Sequence, residues 1–178
     1  VMDGVLGMTN EMLAGCRERK ILAIGMAVPG PYSVQKGRIE LMTGYDGWSD
    51  IPIQEELEKK FSIPIFLEND ANAGALAQYW YNAEKNQDEV LIYIADGQGV
   101  GAGIIHHGEL VKGVLGMAGE IGHMSIDYRG PRCACGNYGC LESYCSSIAF
   151  TKEVNRILAP MQDFTFQEAA RMARASST

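Results

Sequence analysis

The chain has 178 residues, of which 47% are hydrophobic, and its 22 acidic and 15 basic residues give a net charge of −7. This length allows a substantial hydrophobic core, and the acidic balance argues against a nucleic-acid surface, which needs clustered Lys and Arg. Because no apolar run is long enough to span a membrane and no signal peptide is recognisable, we expect a cytoplasmic protein.

The first half of the chain alternates between helical and extended patterns. Apolar periodicity and turn residues predict a helix over 2–20, a strand over 21–28, a hairpin over 34–42, a helix over 52–61, a strand over 63–67 and a helix over 71–81. The two longer strands are short, nearly continuous apolar runs, as is typical of buried parallel strands. A polar stretch over 82–88 predicts a boundary between two lobes, at 1–86 and 87–178.

The strand over 63–67 leads into the polar segment Glu68-Asn69-Asp70. A short polar side chain at Asn69 or Asp70 can cap the next helix, because it accepts hydrogen bonds from the free amides of the first turn. Ligands of α/β proteins collect at the carboxyl ends of strands, so Asp70 can also point into a binding cleft. The sequence leaves both roles open.

The second half begins with a predicted strand over 90–95, a glycine-rich turn and a strand over 104–106. The turn contains Gly99, Gly101 and Gly103, and such glycines let backbone amides approach a phosphate closely. A glycine-rich hairpin is as often only a tight turn, and no Walker lysine follows it. Helices are predicted over 146–158 and, from a capping box, over 165–173.

A loop rich in glycine contains three closely spaced cysteines, Cys133, Cys135 and Cys140, and His123 precedes it. Three thiolates and one imidazole match the closed tetrahedral shell of a structural zinc site, which leaves no position for a substrate. The alternatives are thiols that only pack in the interior and a disulfide with one spare thiol, but a Cys-x-Cys bridge is strained. Zinc is therefore the prediction.

Two glutamates accompany this cluster. Glu120 precedes His123 by three positions and Glu142 follows Cys140 by two, so we expect residues on the metal to position both carboxylates. Each carboxylate can accept hydrogen bonds from the vicinal hydroxyls of a sugar. Ordinary solvated surface charges are the alternative.

The strings GEIGH at 119–123 and CACGNYGCLE at 133–142 resemble the zinc and sugar signature of the ROK family, which contains bacterial sugar kinases and sugar-responsive transcriptional repressors. The resemblance covers nearly the whole chain. It implies the actin-like, ribonuclease H-like α/β fold of sugar kinases in two lobes. The family's chains are longer at both ends, so we expect this chain to be an incomplete fragment of that fold.

The resemblance also implies roles for single residues. Zinc would be bound by His123, Cys133, Cys135 and Cys140, and the glycine turn with Gly99, Gly101 and Gly103 would correspond to a phosphate loop. In a kinase Asp70 would be the general base, and ATP and Mg²⁺ would be required. The residues implied to contact the sugar are Asn69, Asp70, Glu120, His123 and Glu142.

Two functions compete at this point. Gln98 stands where the kinases tend to have a small hydroxyl residue, and the run IDYRGP at 126–131 resembles xylose-type repressors. Asp70 favours a kinase, because many repressors of the family have Glu there. We predict the sugar-binding effector domain of a ROK repressor, in which a monosaccharide drives lobe closure, with an ATP-dependent sugar kinase as the alternative. DNA would be bound only through a domain absent from this chain, and the resemblance implies a homodimer or homotetramer.

Overall fold

The structure, a computed structural model, describes residues 2–16, 18–30, 32–40, 47–82 and 90–159. Its α-helices are α1 (Met2–Gly15), α2 (Ile53–Lys60), α3 (Asp70–Tyr81), α4 (Glu142–Cys145) and α5 (Ser147–Leu158). Its strands are β1 (Ile24–Val28), β2 (Tyr32–Ser33), β3 (Arg38–Ile39), β4 (Ile65–Asn69), β5 (Val90–Asp96), β6 (Val100–His106) and β7 (Glu109–Leu110). The helix predicted over 165–173 lies outside the described residues.

Contacts within the chain divide it into two compact units. Unit 1 comprises Val1–Ala95 and Gly101–Ile121, and unit 2 comprises Asp96–Val100 and Gly122–Thr178. The boundary predicted between residues 86 and 87 falls outside the described residues, so it stays a prediction.

The core of unit 1 forms around a parallel pair of strands. β1 pairs with β4 in a register that runs from Ile24 opposite Ile65 to Val28 opposite Asn69. The carboxyl ends of both strands therefore lie side by side, which is the edge where α/β proteins present ligand-binding groups. The predicted strands and their parallel pairing are confirmed, although each begins a few residues later than the apolar runs suggest. Burial on both faces is not found among the described residues: exposure alternates along β4, and Phe66 is 67% exposed.

Helix α2 shows how its sequence determines which face is buried. Ile53 and Leu57 lie four residues apart, share one helix face and are fully buried in the core. Acidic residues occupy the first turn and lysines the last, as the helix dipole favours. The predicted helix over 52–61 is confirmed to within one residue at each end.

Besides β1-β4 and the antiparallel pair β2-β3, the described residues form a three-stranded sheet with the order β5-β6-β7, which contacts helix α3. The contact is close because Gly103 lies on β6, where an added Cβ would collide with the carbonyl oxygen of Ala71 and the Cβ of Ala75. Glycine is thus required at this strand position so that the helix can approach the sheet.

Unit 2 contains α4, α5, the loop with Cys133, Cys135 and Cys140, and all but the first residue of the 3₁₀ turn Ile121–His123. Ser146 caps α5 by accepting a hydrogen bond from the amide of Ala149 at 3.2 Å, and the predicted helix over 146–158 is confirmed. Isolated bridges pair Ser125 with Cys140 and Arg132 with Tyr138, so the loop has antiparallel pairing without regular strands.

Candidate metal centre and ligand-binding residues

The structure brings the four predicted metal ligands together. One ligand atom from each of His123, Cys133, Cys135 and Cys140 lies within 4.8 Å of all the others. The Sγ atom of Cys133 is 3.7 Å from His123 Nδ1, and the Sγ atoms of Cys135 and Cys140 are 3.7 Å apart. All three cysteines are free thiols, so the disulfide alternative is excluded for this cluster in the structure.

These distances fit a tetrahedral metal shell. Metal–sulfur bonds of about 2.3 Å at tetrahedral angles place two sulfurs about 3.8 Å apart. The 3.7 Å separation of the Cys135 and Cys140 sulfurs agrees with this value, and it is far longer than a disulfide bond. The cluster can therefore hold a metal ion with little rearrangement.

Backbone hydrogen bonds shape the loop independently of any metal. The amide of Cys133 donates to the carbonyl oxygen of Asn137 at 2.8 Å, and the amide of Gly136 donates back to Cys133 at 3.0 Å. Gly136 and Gly139 have positive φ angles of 96° and 64°, a conformation that other residues rarely adopt. At Gly139 an added Cβ would also collide with the carbonyl oxygen of Asp127.

Two thiols of the cluster, Cys133 and Cys140, differ in how readily they ionise. Burial opposes ionisation of Cys133, but hydrogen bonds from the Cys135 backbone and from Cys135, His123 and Cys140 side chains outweigh burial and lower its pKa to about 7. Burial, followed by the neighbouring Cys135 and Cys133 sulfurs, raises the pKa of Cys140 to about 12. Cys133 is therefore ionised more readily than Cys140, and a metal must displace a proton from Cys140.

The lowered pKa of Cys133 gives a prediction for the metal-free protein. As the pH rises through about 7, ultraviolet thiolate absorbance should increase, well below the pH at which an ordinary cysteine ionises. The increase should disappear in Cys133→Ser and persist in Cys145→Ser, because Cys145 is exposed and outside the cluster. A wild-type titration without a transition near pH 7 would contradict the assignment.

Glu142 lies two residues after the last cysteine and contacts the glycine turn. Its Oε2 atom accepts a hydrogen bond from the amide of Val100 at 2.9 Å. A Cβ added at Gly99 would lie 2.9 Å from the same oxygen, so glycine allows this approach. The amide of Ser147 also donates to the carbonyl oxygen of Gly97 at 2.8 Å. The turn and the start of α5 are therefore joined within unit 2.

The glycine turn is shorter than the sequence suggested. Gly101 and Gly103 lie inside β6, so placing them in the turn before a strand at 104–106 was wrong. Close packing explains them: a Cβ at Gly101 would lie 3.5 Å from the Cβ of Ala71, and Gly103 allows the contact with α3 described above. Only Gly99 of the three predicted phosphate-loop glycines lies in the turn, and phosphate binding by all three stays a prediction.

Asn69 caps helix α3. Its Oδ1 atom accepts hydrogen bonds from the amides of Ala71 at 3.0 Å and Asn72 at 3.3 Å, and its Nδ2 donates to the carbonyl oxygen of Gly30 at 3.1 Å. Asp70 is the exposed first residue of the helix, and its Oδ1 accepts from Ala71 at 2.8 Å. The capping prediction is confirmed for Asn69, and the ligand roles of both residues stay predictions.

The Asn69 cap leads to a stability prediction. Asn69→Ala should lower the free energy of unfolding by about 1 kcal/mol, because two amides of the first turn lose their acceptor. Asn69→Ser, which retains a capping oxygen, should recover most of that loss. Urea denaturation measures both variants, and equal losses for Ala and Ser would show that the bond to Gly30 matters more than the cap.

Sequence reasoning missed Glu68. This half-buried side chain lies one residue before the end of β4 and accepts hydrogen bonds from the amide of Asn69, from Asn72 Nδ2 and from Lys112 Nζ. The available signal was its position, since a charged residue at the end of a buried strand needs a partner. Asn72 was missed too: its Oδ1 atom is buried and has no hydrogen-bond partner among the residues that the structure describes.

The five predicted sugar-contacting residues are divided between the units. Asn69, Asp70 and Glu120 belong to unit 1, whereas His123 and Glu142 belong to unit 2. Glu120 is half-buried and directly follows Gly119, whose carbonyl oxygen accepts from the amide of Ala102 at 2.7 Å.

Comparison with known proteins decides the family. The profile described as "ROK family" matches residues 2–178, nearly the whole chain. The chain belongs to the ROK family. It is 40% identical to the xylose repressor of Bacillus subtilis over 134 residues, which are 75% of this chain and 34% of that protein. The chain thus spans about a third of the length of this curated relative.

Solved ROK structures share the fold. A ROK family transcriptional regulator, a homologue of the E. coli MLC protein, superposes with a TM-score of 0.72 at 28% identity. The match covers 93% of this chain and 44% of the regulator's chain. A ROK glucokinase from Streptomyces griseus, in complex with glucose and AMPPNP, superposes with a TM-score of 0.75 at 29% identity. The match covers 89% of this chain and 50% of the glucokinase chain. The predicted actin-like, ribonuclease H-like fold is confirmed, as a fragment of the ROK length. In the part of the chain that the structure describes, every helix is too short or too polar to cross a membrane.

Proposed function

We propose that this chain is the sugar-binding effector part of a ROK-family transcriptional regulator, stabilised by a structural zinc ion. The observation that supports this most strongly is the 40% identity to a xylose repressor over three quarters of the chain. The Gln98 and IDYRGP features of the sequence agree with it. Family likeness alone does not determine function, so the proposal depends on the chemistry of the site and on direct tests.

Zinc is the metal that the donor set favours. Three thiolates and one imidazole are soft to borderline ligands, and their tetrahedral arrangement suits a d¹⁰ ion without geometric preference of its own. Four protein ligands leave no coordination position for a substrate, so the role is structural. The ion would fix the loop that ends at Cys140 and thereby the start of α4, which carries Glu142.

The proposed ligand is a monosaccharide. Carboxylates at Asp70, Glu120 and Glu142 accept hydrogen bonds from sugar hydroxyls, and Asn69 and His123 can each donate one. Glu142 already accepts one amide hydrogen bond through Oε2, and a carboxylate has further acceptor capacity. These are the residues that the ROK signature implies for sugar contact, and we retain them as a set.

Regulation would follow from population shift. A sugar that binds one conformation better than another moves the equilibrium by no more than its differential affinity. In the intact protein this shift would reach a DNA-binding segment outside this chain. We further propose that the intact protein acts in the cytoplasm and that it is a homodimer or homotetramer. Light scattering on the intact protein tests the oligomeric state.

A thermal-shift screen tests sugar binding without assuming any chemistry. The panel should include xylose, glucose and N-acetylglucosamine, with a non-sugar polyol as the control. A true effector at 100 times its Kd stabilises the protein by about 2.7 kcal/mol, and the shift grows with concentration. If no monosaccharide raises the melting temperature above the polyol control, the effector proposal fails.

An ATP-dependent sugar kinase is the second candidate, and Asp70 is the observation that favours it. The side chain is exposed at the carboxyl end of β4, where a general base would be useful, and the Streptomyces griseus glucokinase shares the fold. ATP and Mg²⁺ would then be cofactors. Sugar phosphorylation by the intact protein that falls about 10²- to 10⁴-fold in Asp70→Asn would establish the kinase and overturn the regulator.

A further inference from the structure

Glu68 lies immediately before two of the proposed sugar-contacting residues, and its carboxylate accepts three hydrogen bonds. Its Oε1 atom accepts from the amide of Asn69 at 3.1 Å and from Nδ2 of Asn72 at 3.0 Å. Its Oε2 atom is 2.5 Å from Lys112 Nζ. The carboxylate is thus bonded to its own strand end, to helix α3 and to a lysine 44 residues away.

The bonds to Asn69 and Asn72 constrain the start of helix α3. The amide of Asn69 is bonded to Glu68, while the Asn69 side chain caps the helix and bonds Gly30. Rotation of the strand end would break several of these bonds together. Glu68 therefore contributes to the backbone position of Asn69 and of Asp70, which follows it.

Lys112 connects Glu68 to a second segment of unit 1. The carbonyl oxygen of Lys112 accepts from the amide of Ala118 at 3.0 Å, which closes a loop over residues 112–118. The next residue, Gly119, is bonded to Ala102 of β6 and precedes Glu120. The lysine thus anchors the loop that leads to Glu120, through its backbone and its side chain.

The Glu68–Lys112 ion pair is less exposed to solvent than the other ion pairs described in this unit. The Glu68 side chain is 18% exposed and that of Lys112 43% exposed, whereas Lys36 and Glu40 form a 2.7 Å pair at 65% and 35%. Because water screens the charges, an exposed ion pair contributes almost nothing to stability. Partial burial strengthens a charge-assisted hydrogen bond. Removing one partner would leave a half-buried charge beside the strand end.

We propose that Glu68 and Lys112 are positioning residues of the ROK sugar site: their ion pair holds the segment with Asn69 and Asp70 against the loop that delivers Glu120. This inference rests on the proposed sugar-binding function. It assigns neither residue a contact with the sugar. At metal sites, where such supporting partners have been measured, losing one typically lowers affinity about 10- to 100-fold.

Titration calorimetry on the intact protein with xylose, glucose and N-acetylglucosamine tests the pair. We expect Lys112→Met to weaken binding about tenfold, at a temperature well below its melting point. Lys112→Arg, which retains the charge and the hydrogen bond, should restore affinity to within about threefold of wild type. Lys36→Met, which breaks the exposed pair in the same unit, should bind as wild type does.

The possible results distinguish failure of the positioning role from failure of the proposed sugar-binding function. If wild type binds sugar and Lys112→Met binds equally well, the positioning role is wrong and the effector proposal stands. If wild type binds no sugar, both fail. Should Lys112→Met not fold, Glu68→Gln replaces it with the same expectation. Amide hydrogen exchange at Asn69 adds a sugar-free readout: it should accelerate in both variants, and an unchanged rate overturns the inference.

Discussion

Replacing Cys140 with serine is expected to remove the metal and to weaken sugar binding in the same protein. Cys140 is fully buried, supplies one of four clustered ligand atoms and lies two residues before Glu142. Loss of a thiolate breaks the closed shell, and the loop then loses the constraint that positions His123 and Glu142. Metal analysis should fall from one zinc per chain to near zero, with sugar affinity lower by about tenfold or more.

The matched control is Cys145→Ser. Cys145 is exposed, lies in α4 just beyond the cluster and contributes no ligand atom. Its substitution should leave metal content and sugar affinity unchanged. Zinc loss in Cys140→Ser with unchanged sugar affinity would separate the metal from ligand binding and contradict the coupling between them.

The second large effect is expected at Gly103. Gly103→Val should destabilise unit 1 by about 3 kcal/mol or more, because the new side chain must displace the backbone of α3 at Ala71. The same helix begins at Asp70, so the misplaced helix should also weaken sugar binding. Chemical denaturation with calorimetry on the folded fraction measures both effects.

Gly25→Ala is the control for this substitution. Gly25 is also a strand glycine of unit 1, but a Cβ added there has open space within 4 Å. Its replacement should change stability by less than about 1 kcal/mol, and it can be stabilising because alanine restricts the unfolded chain. If Gly103→Val lost little stability, α3 would shift easily, and the close approach of α3 to β6 would not be required.

The segment Glu68-Asn69-Asp70 shows how far local patterns reach. The sequence placed a helix cap there and left Asn69 and Asp70 as equal candidates. The structure selects Asn69 because its backbone lies outside the helix and its Oδ1 accepts two amides of the first turn. Capping depends on backbone angles at single residues, which apolar periodicity does not specify.

The glycine-rich stretch was misread for a different reason. Glycine has no side chain, so a glycine needed for a turn and one needed for close helix packing are identical in a sequence. The strand predicted from 104 in fact begins at Val100, and Gly101 and Gly103 face α3 across it. Only the position of the helix, set by the whole of unit 1, separates the two roles.

The sequence by itself determined the cysteine and histidine cluster, because all four ligands lie within 18 residues and local glycines allow the loop to close. It also determined the order of the longer helices and strands, since the periodicity of apolar residues is a local signal, but it did not predict the short elements β7 and α4. Tertiary structure alone decided that Glu68 pairs with Lys112, that Gly103 allows helix packing and that Glu142 bonds the glycine turn. These contacts join residues about 30 to 44 positions apart, and long-range packing that no short pattern encodes brings them together.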